Sequence, residues 1–213
     1  MNGSQVTRLL YCFARFVFLV YLKLLYRLKI NGVEHIPKRK PFIICSNHIC
    51  WLDPLAVGAA LPTSYRIHFM AKKELFNNFI LSYLLSKAYA FPVNRQDADY
   101  GAIKKAYQLL GDGQVLGLFP EGSRSKDGEL QKAFNGAALI AVRSGVPLLP
   151  IAIDGPYRVF KALHVYVGPP FVLPPLLYEQ KEKKREQLNE MSCTIMENIS
   201  RLLPENNIKD RLD

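Results

Sequence analysis

His48 and Asp53 are residue types at a spacing that suits general-base catalysis. They lie in the segment SNHICWLDP (46–54), which directly follows an apolar run. An aspartate followed by proline is typical of a helix start, so His48 is expected in a loop that folds back onto that helix. An aspartate held against one imidazole nitrogen leaves the other free to accept a proton. The pair predicts a base that activates a substrate hydroxyl; taken alone, it fits a structural loop histidine better.

Two further segments place an arginine just after an apolar run. FPEGSRS (119–125) carries Arg124 beside glycine and serine, and FPVNR (91–95) ends with Arg95. Guanidinium groups and unhindered backbone amides suit a bound phosphate. Each arginine taken singly also fits a surface salt bridge. Together with His48, they predict a site for a phosphorylated compound that carries a hydroxyl.

Strand-like and helix-like segments alternate along the chain. Strands are predicted at 41–46, 66–71, 88–93, 115–119, 146–153 and 164–167, and helices at 54–61, 74–87, 98–111, 132–144 and 179–203. The alternation predicts an α/β fold with a mostly parallel sheet flanked by helices. Open sheets of this kind bind ligands at the carboxyl ends of their strands. The segments that carry His48, Arg95 and Arg124 all follow predicted strands, so the site is predicted at the carboxyl ends of these strands.

Residues 1–30 are predicted to form an N-terminal amphipathic helix, and 31–213 the α/β domain. Arg15 and Lys23 interrupt the apolar run, which is therefore shorter than the roughly 18 residues a spanning helix needs. On a helical wheel, the cations fall within one sector a little under half the circle: Arg8, Arg15, Lys23, Arg27 and Lys29. A basic stripe opposite a broad apolar face predicts a helix in the membrane interface. Packing of this helix on the domain core is the alternative.

Composition narrows the class of protein further. With 49% apolar and 22% charged residues among 213, the chain suits one globular domain and not a disordered one. Its net charge of +10 favours an anionic partner, with simple solubility as the alternative. The basic residues form no recognised nucleic-acid motif, so no nucleic-acid partner is predicted. The four cysteines show no disulfide framework, which indicates reduced thiols in a cytosol-facing protein.

A zinc site built from Cys45, His48 and Cys50 is the metal-binding alternative. No second ligand pair follows these residues, and Cys45 falls within a strand-like apolar run. No metal site is therefore predicted.

Four blocks in order, NHICWLD (47–53), FPVNR (91–95), FPEGSRS (119–125) and VPLLPIAI (146–153), resemble those of the glycerolipid acyltransferase family. The similarity is greatest to the bacterial 1-acylglycerol-3-phosphate acyltransferases (PlsC-type) and covers about residues 30 to 170. It implies transfer of an acyl chain from acyl-CoA or acyl carrier protein to the sn-2 hydroxyl of lysophosphatidic acid, giving phosphatidic acid. It also implies no tightly bound cofactor. The amphipathic N-terminal segment and the reduced thiols together predict a peripheral or monotopic protein on the cytoplasmic side of the membrane.

The resemblance also assigns roles to residues. It makes His48 the general base and Asp53 its orienting partner, and it places Lys72 as a support for the oxyanion. The fourth block would be a strand near the acyl pocket, although a plain core strand explains it equally. The residues that would hold the substrate phosphate are Arg95, Glu121, Gly122, Ser123 and Arg124.

Some positions depart from the family pattern, and several alternatives stay open. Cys50 stands where the family often has serine, which raises a covalent acyl-enzyme as a less favoured mechanism, and Ser123 stands where it often has threonine. The acceptor could also be glycerol 3-phosphate, another lysophospholipid or a lyso-aminolipid. Outside the family, the alternative is a non-catalytic, basic membrane-binding protein.

Overall fold

A seven-stranded sheet forms the centre of the protein. The computed structural model describes residues 3–94, 99–178 and 180–204, with side chains described from residue 11 onward. The strands run in the spatial order β1-β7-β6-β2-β5-β3-β4. All neighbouring pairs are parallel except β6 and β7. Their bounds are β1 Lys29–Asn31, β2 Phe42–Ser46, β3 Ile67–Lys72, β4 Phe91–Val93, β5 Val115–Leu118, β6 Leu148–Asp154 and β7 His164–Val167.

The described residues contain six α-helices. They are α1 Gly3–Tyr26, α2 Asp53–Ala60, α3 Phe79–Lys87, α4 Tyr100–Gly111, α5 Asn135–Ser144 and α6 Lys181–Ser200. All but α3 pack on the two faces of this sheet. Two buried clusters result: α1 and α2 contribute to one, and α4, α5 and α6 to the other. The central strands β2, β5 and β6 are buried along their whole length, as expected for parallel strands covered on both faces. The predicted α/β class and mostly parallel sheet are confirmed.

The connections out of β2 and β5 leave the sheet on opposite faces, and the region between them, at the carboxyl ends of the two strands, is the β2–β5 crevice. The chain leaves β2 into α2 on one face and leaves β5 toward α5 on the other. In open α/β sheets, ligands bind at the strand ends where the following helices diverge to opposite faces. The loops that carry His48 and Glu121 both begin at this point.

The N-terminal helix ends earlier than the sequence predicts. It stops at Tyr26, before Arg27, whose φ is +43°. Lys29 and Ile30, predicted as helical, instead belong to β1 and pair with His164 and Val165 of β7. Lys29 is therefore not part of the basic stripe on the helix, because the sheet fixes its backbone.

Arg15 also differs from the prediction. Its guanidinium donates to the carbonyl oxygens of Gly58, Leu61 (2.7 Å), Pro62 (3.3 Å) and Tyr65 (2.9 Å). These groups lie at and beyond the carboxyl end of α2, where helix carbonyls lack partners within the helix. Arg15 therefore holds α1 against α2 instead of facing lipid headgroups. Within the described residues, no helix has both the length and the apolar character needed to cross a bilayer.

The predicted helix at 74–87 is two helices. Lys73–Phe76 forms a 3-10 helix, and α3 begins after Asn78, whose side chain accepts from the backbone N–H of Leu81. That capping bond starts a new helix and so separates the two. The predicted helix at 179–203 corresponds to α6; Glu179 lies outside the described residues.

Candidate active site

His48 and Asp53 are in direct contact at the end of β2. His48 Nδ1 lies 2.7 Å from Asp53 Oδ2, and the Asp53 carboxylate is fully buried. Asp53 is the first residue of α2, and Pro54 follows it at a helix position that needs no backbone donor. With Nδ1 engaged, Nε2 is the nitrogen that can exchange a proton with substrate. The structure therefore brings together the pair predicted from the spacing.

Asp53 accepts hydrogen bonds at both of its oxygens. Oδ2 also receives the backbone N–H groups of Ile49 (2.6 Å) and Cys50 (2.8 Å). Oδ1 receives the hydroxyl of Tyr157 at 2.6 Å. Backbone donors that converge on one carboxylate stabilise its charged form. Asp53 thus both orients His48 and shapes the loop that carries it.

Glu121 joins the His48 loop to the loop that follows β5. Its Oε1 accepts from the backbone N–H of His48 (2.9 Å), and its Oε2 from that of Gln131 (3.1 Å). The Ser125 N–H donates to the carbonyl oxygen of His48 (2.7 Å) and ties the two loops again. Burial raises the pKa of Glu121 to about 7, and the charge of Asp53 acts in the same direction. Both carboxylate oxygens accept from backbone N–H groups, so Glu121 shapes the site, and its role in holding phosphate stays a prediction.

The imidazole of His48 is also fixed by aromatic stacking. Its ring lies 4.1 Å from that of Phe119, and Phe119 stacks in turn on Phe69 at 5.6 Å. Gly117 makes room for this stack, because a Cβ there would lie 2.4 Å from the Phe69 ring. The side chain of His48 is 12% exposed, so the stack buries one face while an edge stays accessible.

The residues predicted to hold phosphate fall into different environments. Arg124 is exposed on the loop after β5, and its positive charge opposes the rise in the pKa of Cys50 in the His48 loop. The Ser123 hydroxyl donates to Gln131 Oε1 at 3.3 Å. The Gly122 N–H donates to the Phe119 carbonyl, so it closes a turn at φ +69° and does not offer a free donor. Arg95 lies outside the described residues.

Lys72 and the two nearby cysteines lie in different surroundings. Lys72 ends β3 exposed and lies 3.6 Å from Glu74. Burial raises the pKa of Cys45, and burial, followed by the charge of Asp53, raises that of Cys50. Thiols with a raised pKa are poor nucleophiles at neutral pH, which disfavours an acyl-enzyme at Cys50. No cluster of three or more metal-ligating side chains occurs among residues 3–94, 99–178 and 180–204.

Sequence reasoning missed two further contacts that hold the site together. The Asn47 side chain exchanges two hydrogen bonds with the backbone of Ile153 (2.7 and 2.9 Å), joining the end of β2 to β6. Tyr157 reaches Asp53 from 104 residues away. Asn47 is adjacent to His48 in the first block, which is a usable signal. Nothing local to Tyr157 indicates its partner.

A family profile described as Acyltransferase matches residues 27–154, more than half of the chain. The chain belongs to the Acyltransferase family. The matched range contains both members of the His48–Asp53 pair and the loop that carries Glu121 and Arg124. As an acyltransferase, the protein is an enzyme of group transfer, and its crevice between β2 and β5 is the candidate active site.

Similar curated proteins share one name. The acyltransferase is 38% identical over 138 residues to the 1-acyl-sn-glycerol-3-phosphate acyltransferase of Bacillus subtilis, covering 64% of this chain and 67% of that protein. It is 35% identical over 135 residues to the protein of that name from Streptococcus pneumoniae, covering 60% and 49%. The alpha form from Homo sapiens is 30% identical over 141 residues, covering 64% and 49%. The matched region spans about half the length of the latter two.

A solved structure shares the fold. The crystal structure of the 1-acyl-sn-glycerophosphate (LPA) acyltransferase, PlsC, from Thermotoga maritima superposes with a TM-score of 0.67. The alignment covers 95% of this acyltransferase and 84% of that chain at 22% sequence identity. At that identity the likeness establishes the architecture: a mostly parallel sheet flanked by helices.

Proposed function

We propose that this acyltransferase transfers an acyl chain from a thioester to the free sn-2 hydroxyl of lysophosphatidic acid, giving phosphatidic acid in phospholipid biosynthesis. The observation that carries the proposal is the 2.7 Å contact between His48 Nδ1 and the buried Asp53 carboxylate at the β2–β5 crevice. The shared name of the relatives supports lysophosphatidic acid as the acceptor.

The proposed reaction uses His48 as base and then as acid. Nε2 accepts the proton of the sn-2 hydroxyl while that oxygen attacks the thioester carbonyl. The tetrahedral intermediate collapses, the carbon–sulfur bond breaks, and the departing thiolate takes the proton back from His48. Acyl-CoA or acyl carrier protein is the donor and leaves as the free thiol. Backbone amides of the crevice, with Lys72 as a further candidate, stabilise the oxyanion.

The acceptor phosphate is proposed to bind at the loop after β5. Arg124 supplies charge beside the crevice, and Ser123 lies next to it on the same exposed loop. Arg95 completes this group of predicted phosphate ligands. Arginine forks match phosphate geometry and bind it through charge-assisted hydrogen bonds. Glu121 acts by accepting from the backbone N–H of Gln131 in this loop and from that of His48 in the neighbouring loop.

The proposed setting is the cytoplasmic side of the membrane, with residues 1–30 as the interface segment and 31–213 as the catalytic domain. One side of α1 packs on the core through Leu22, whereas Phe13, Phe16 and Leu24 are 60% or more exposed. α3 adds a second exposed apolar group, of which Phe79 is the most accessible at 85%. Apolar side chains beside lysines and arginines suit a helix in the lipid interface.

Thiol release tests the activity. Detergent-solubilised protein is supplied with palmitoyl-CoA, with or without 1-acylglycerol 3-phosphate, and then with acyl carrier protein donors. Acceptor-dependent thiol release, with phosphatidic acid detected by mass spectrometry, is the expected result. Glycerol 3-phosphate and other lysophospholipids in the same assay define the acceptor. Absence of acceptor-dependent release with every donor would refute acyl transfer and leave a lipid-binding protein.

A further inference from the structure

Tyr157 contacts the buried carboxylate on which the proposed mechanism depends. Its hydroxyl lies 2.6 Å from Asp53 Oδ1, the oxygen that His48 does not use. Burial, followed by the charge of Asp53, raises the pKa of Tyr157. The phenol therefore stays protonated in the working pH range and acts as the donor in this hydrogen bond.

The chain holds Tyr157 in place by contacts on both sides. The residue has a φ of +39°, a backbone conformation that side chains larger than glycine adopt only when their surroundings enforce it. Its ring packs edge-on against Tyr26 at the end of α1, with the centroids 5.7 Å apart. Beyond it, the N–H groups of Phe160 and Leu163 donate to the Leu25 and Tyr26 carbonyls. The hydroxyl thus has a fixed position relative to both α1 and Asp53.

We propose that Tyr157 is a positioning residue of the active site, whose hydroxyl fixes the Asp53 carboxylate and sets the basicity of His48. This inference rests on the proposed function. The phenol proton shares the negative charge of Asp53, so less of that charge stabilises the imidazolium. Without the hydroxyl, the Asp53 carboxylate can rotate. Its negative charge is then no longer partly neutralised by the phenol proton, so it favours protonated His48 more strongly. The His48 pKa should then rise.

Other ionisable groups face the His48–Asp53 pair, and their effects on His48 must be distinguished from that of Tyr157. They are Cys50 from the same loop, Glu121 from the loop after β5, Tyr26 from α1, and Arg124, which acts on Cys50. Glu121, with its pKa near 7, titrates in the range of interest. The titration is therefore repeated in a Glu121→Gln background, where the effect of Tyr157 should persist.

The direct test follows the His48 imidazole by NMR titration in the full chain, a readout that does not require turnover. Loss of one signal in His48→Gln assigns the resonance. In Tyr157→Phe, the midpoint should rise by roughly 0.5 pH unit or more. Tyr26→Phe, which keeps the Asp53 contact, should leave it unchanged. An unchanged or lowered midpoint in Tyr157→Phe would overturn the proposal, whatever the activity assay shows.

Kinetics and a second variant complete the test. The kcat of Tyr157→Phe should fall roughly tenfold, as expected for a lost hydrogen bond to a charged group, with the thioester KM unchanged. Fluorotyrosine placed at position 157 keeps the shape of the ring and is a stronger donor, so it should lower the His48 midpoint. If Tyr157→Phe does not fold, the proposal is tested by the His48 midpoint in the fluorotyrosine variant, and an unchanged midpoint there would overturn it.

Discussion

Two carboxylates, Asp53 and Glu121, meet the backbone of the His48 loop from opposite sides. Asp53 receives the N–H groups of the two residues after His48, and Glu121 receives the N–H of His48 itself. A loop held at three consecutive amides cannot easily change the direction of its imidazole. Burial of Glu121 disfavours its charged form, so keeping this carboxylate ionised costs free energy.

Glu121 should therefore make stability depend on pH. Its pKa of about 7 in the folded protein lies above the value of 4.5 for the free side chain, so between these values the folded state holds a proton that the unfolded state has lost. Stability conferred by this residue is complete below about pH 4.5 and is lost as pH rises to 7. In Glu121→Gln, the melting temperature should fall less than in wild type as the pH rises over this range. A difference of a few degrees is expected, because 1 kcal/mol of stability corresponds to about 2–4 °C in a chain of this size. If the melting temperatures of wild type and Glu121→Gln changed equally with pH, this prediction would be contradicted.

Arg124 should affect acceptor binding and little else. Arg124→Ala removes the exposed guanidinium beside the crevice and is expected to raise the KM for lysophosphatidic acid roughly tenfold, with the thioester KM unchanged. Lys126→Ala, an exposed cation on the same loop, is the matched control. Lost thioester affinity with normal acceptor affinity would invert the proposed assignment of the two substrates.

At the level of elements, every predicted strand is present in the structure. These strands could be predicted because buried strands occur in the sequence as apolar runs. β1 could not be predicted, since its three residues are partly polar and its partner, β7, lies more than 130 residues away. Local pattern also put His48, Asp53 and the Arg124 loop at one edge. It could not supply Tyr157 or the inward orientation of Glu121, because both depend on contacts between distant loops.

Arg15 and Lys23 lie on the same predicted stripe of α1 but should behave differently. Arg15→Ala leaves carbonyl groups at the end of α2 without a donor, which should cost about 2 kcal/mol. This corresponds to a fall of roughly 4–8 °C in melting temperature. Lys23 is exposed, so Lys23→Ala should preserve the melting temperature and weaken binding to anionic vesicles. Equal melting temperatures for both variants would contradict the role of Arg15.

For the whole molecule, the exposed apolar residues of α1 and α3 are the proposed membrane-binding groups. The two helices lie close together, since Tyr11 of α1 contacts Tyr89 just after α3 with the ring centroids 4.9 Å apart. The net charge of +10 adds attraction to anionic lipid. Membrane binding is therefore expected to use both elements.

Vesicle sedimentation tests this orientation. Phe16→Asp and Phe79→Asp should each reduce the fraction bound to anionic vesicles several-fold, because a charge then replaces an exposed apolar side chain that is proposed to enter the lipid. Val172→Asp is the control: Val172 is as exposed as Phe16, but it lies by the amino end of β6, away from the crevice. A loss of binding in the control as large as in either test variant would contradict the proposed face.

The measurement closest to the central claim is the turnover of His48→Ala beside wild type, with acyl donor and lysophosphatidic acid both present. The account predicts that kcat falls by at least about 100-fold, the usual contribution of a general base, while circular dichroism shows the native fold. Cys50→Ser, which keeps the backbone donor to Asp53, should remain active. Near-normal turnover by a folded His48→Ala protein would contradict base catalysis by the His48–Asp53 pair.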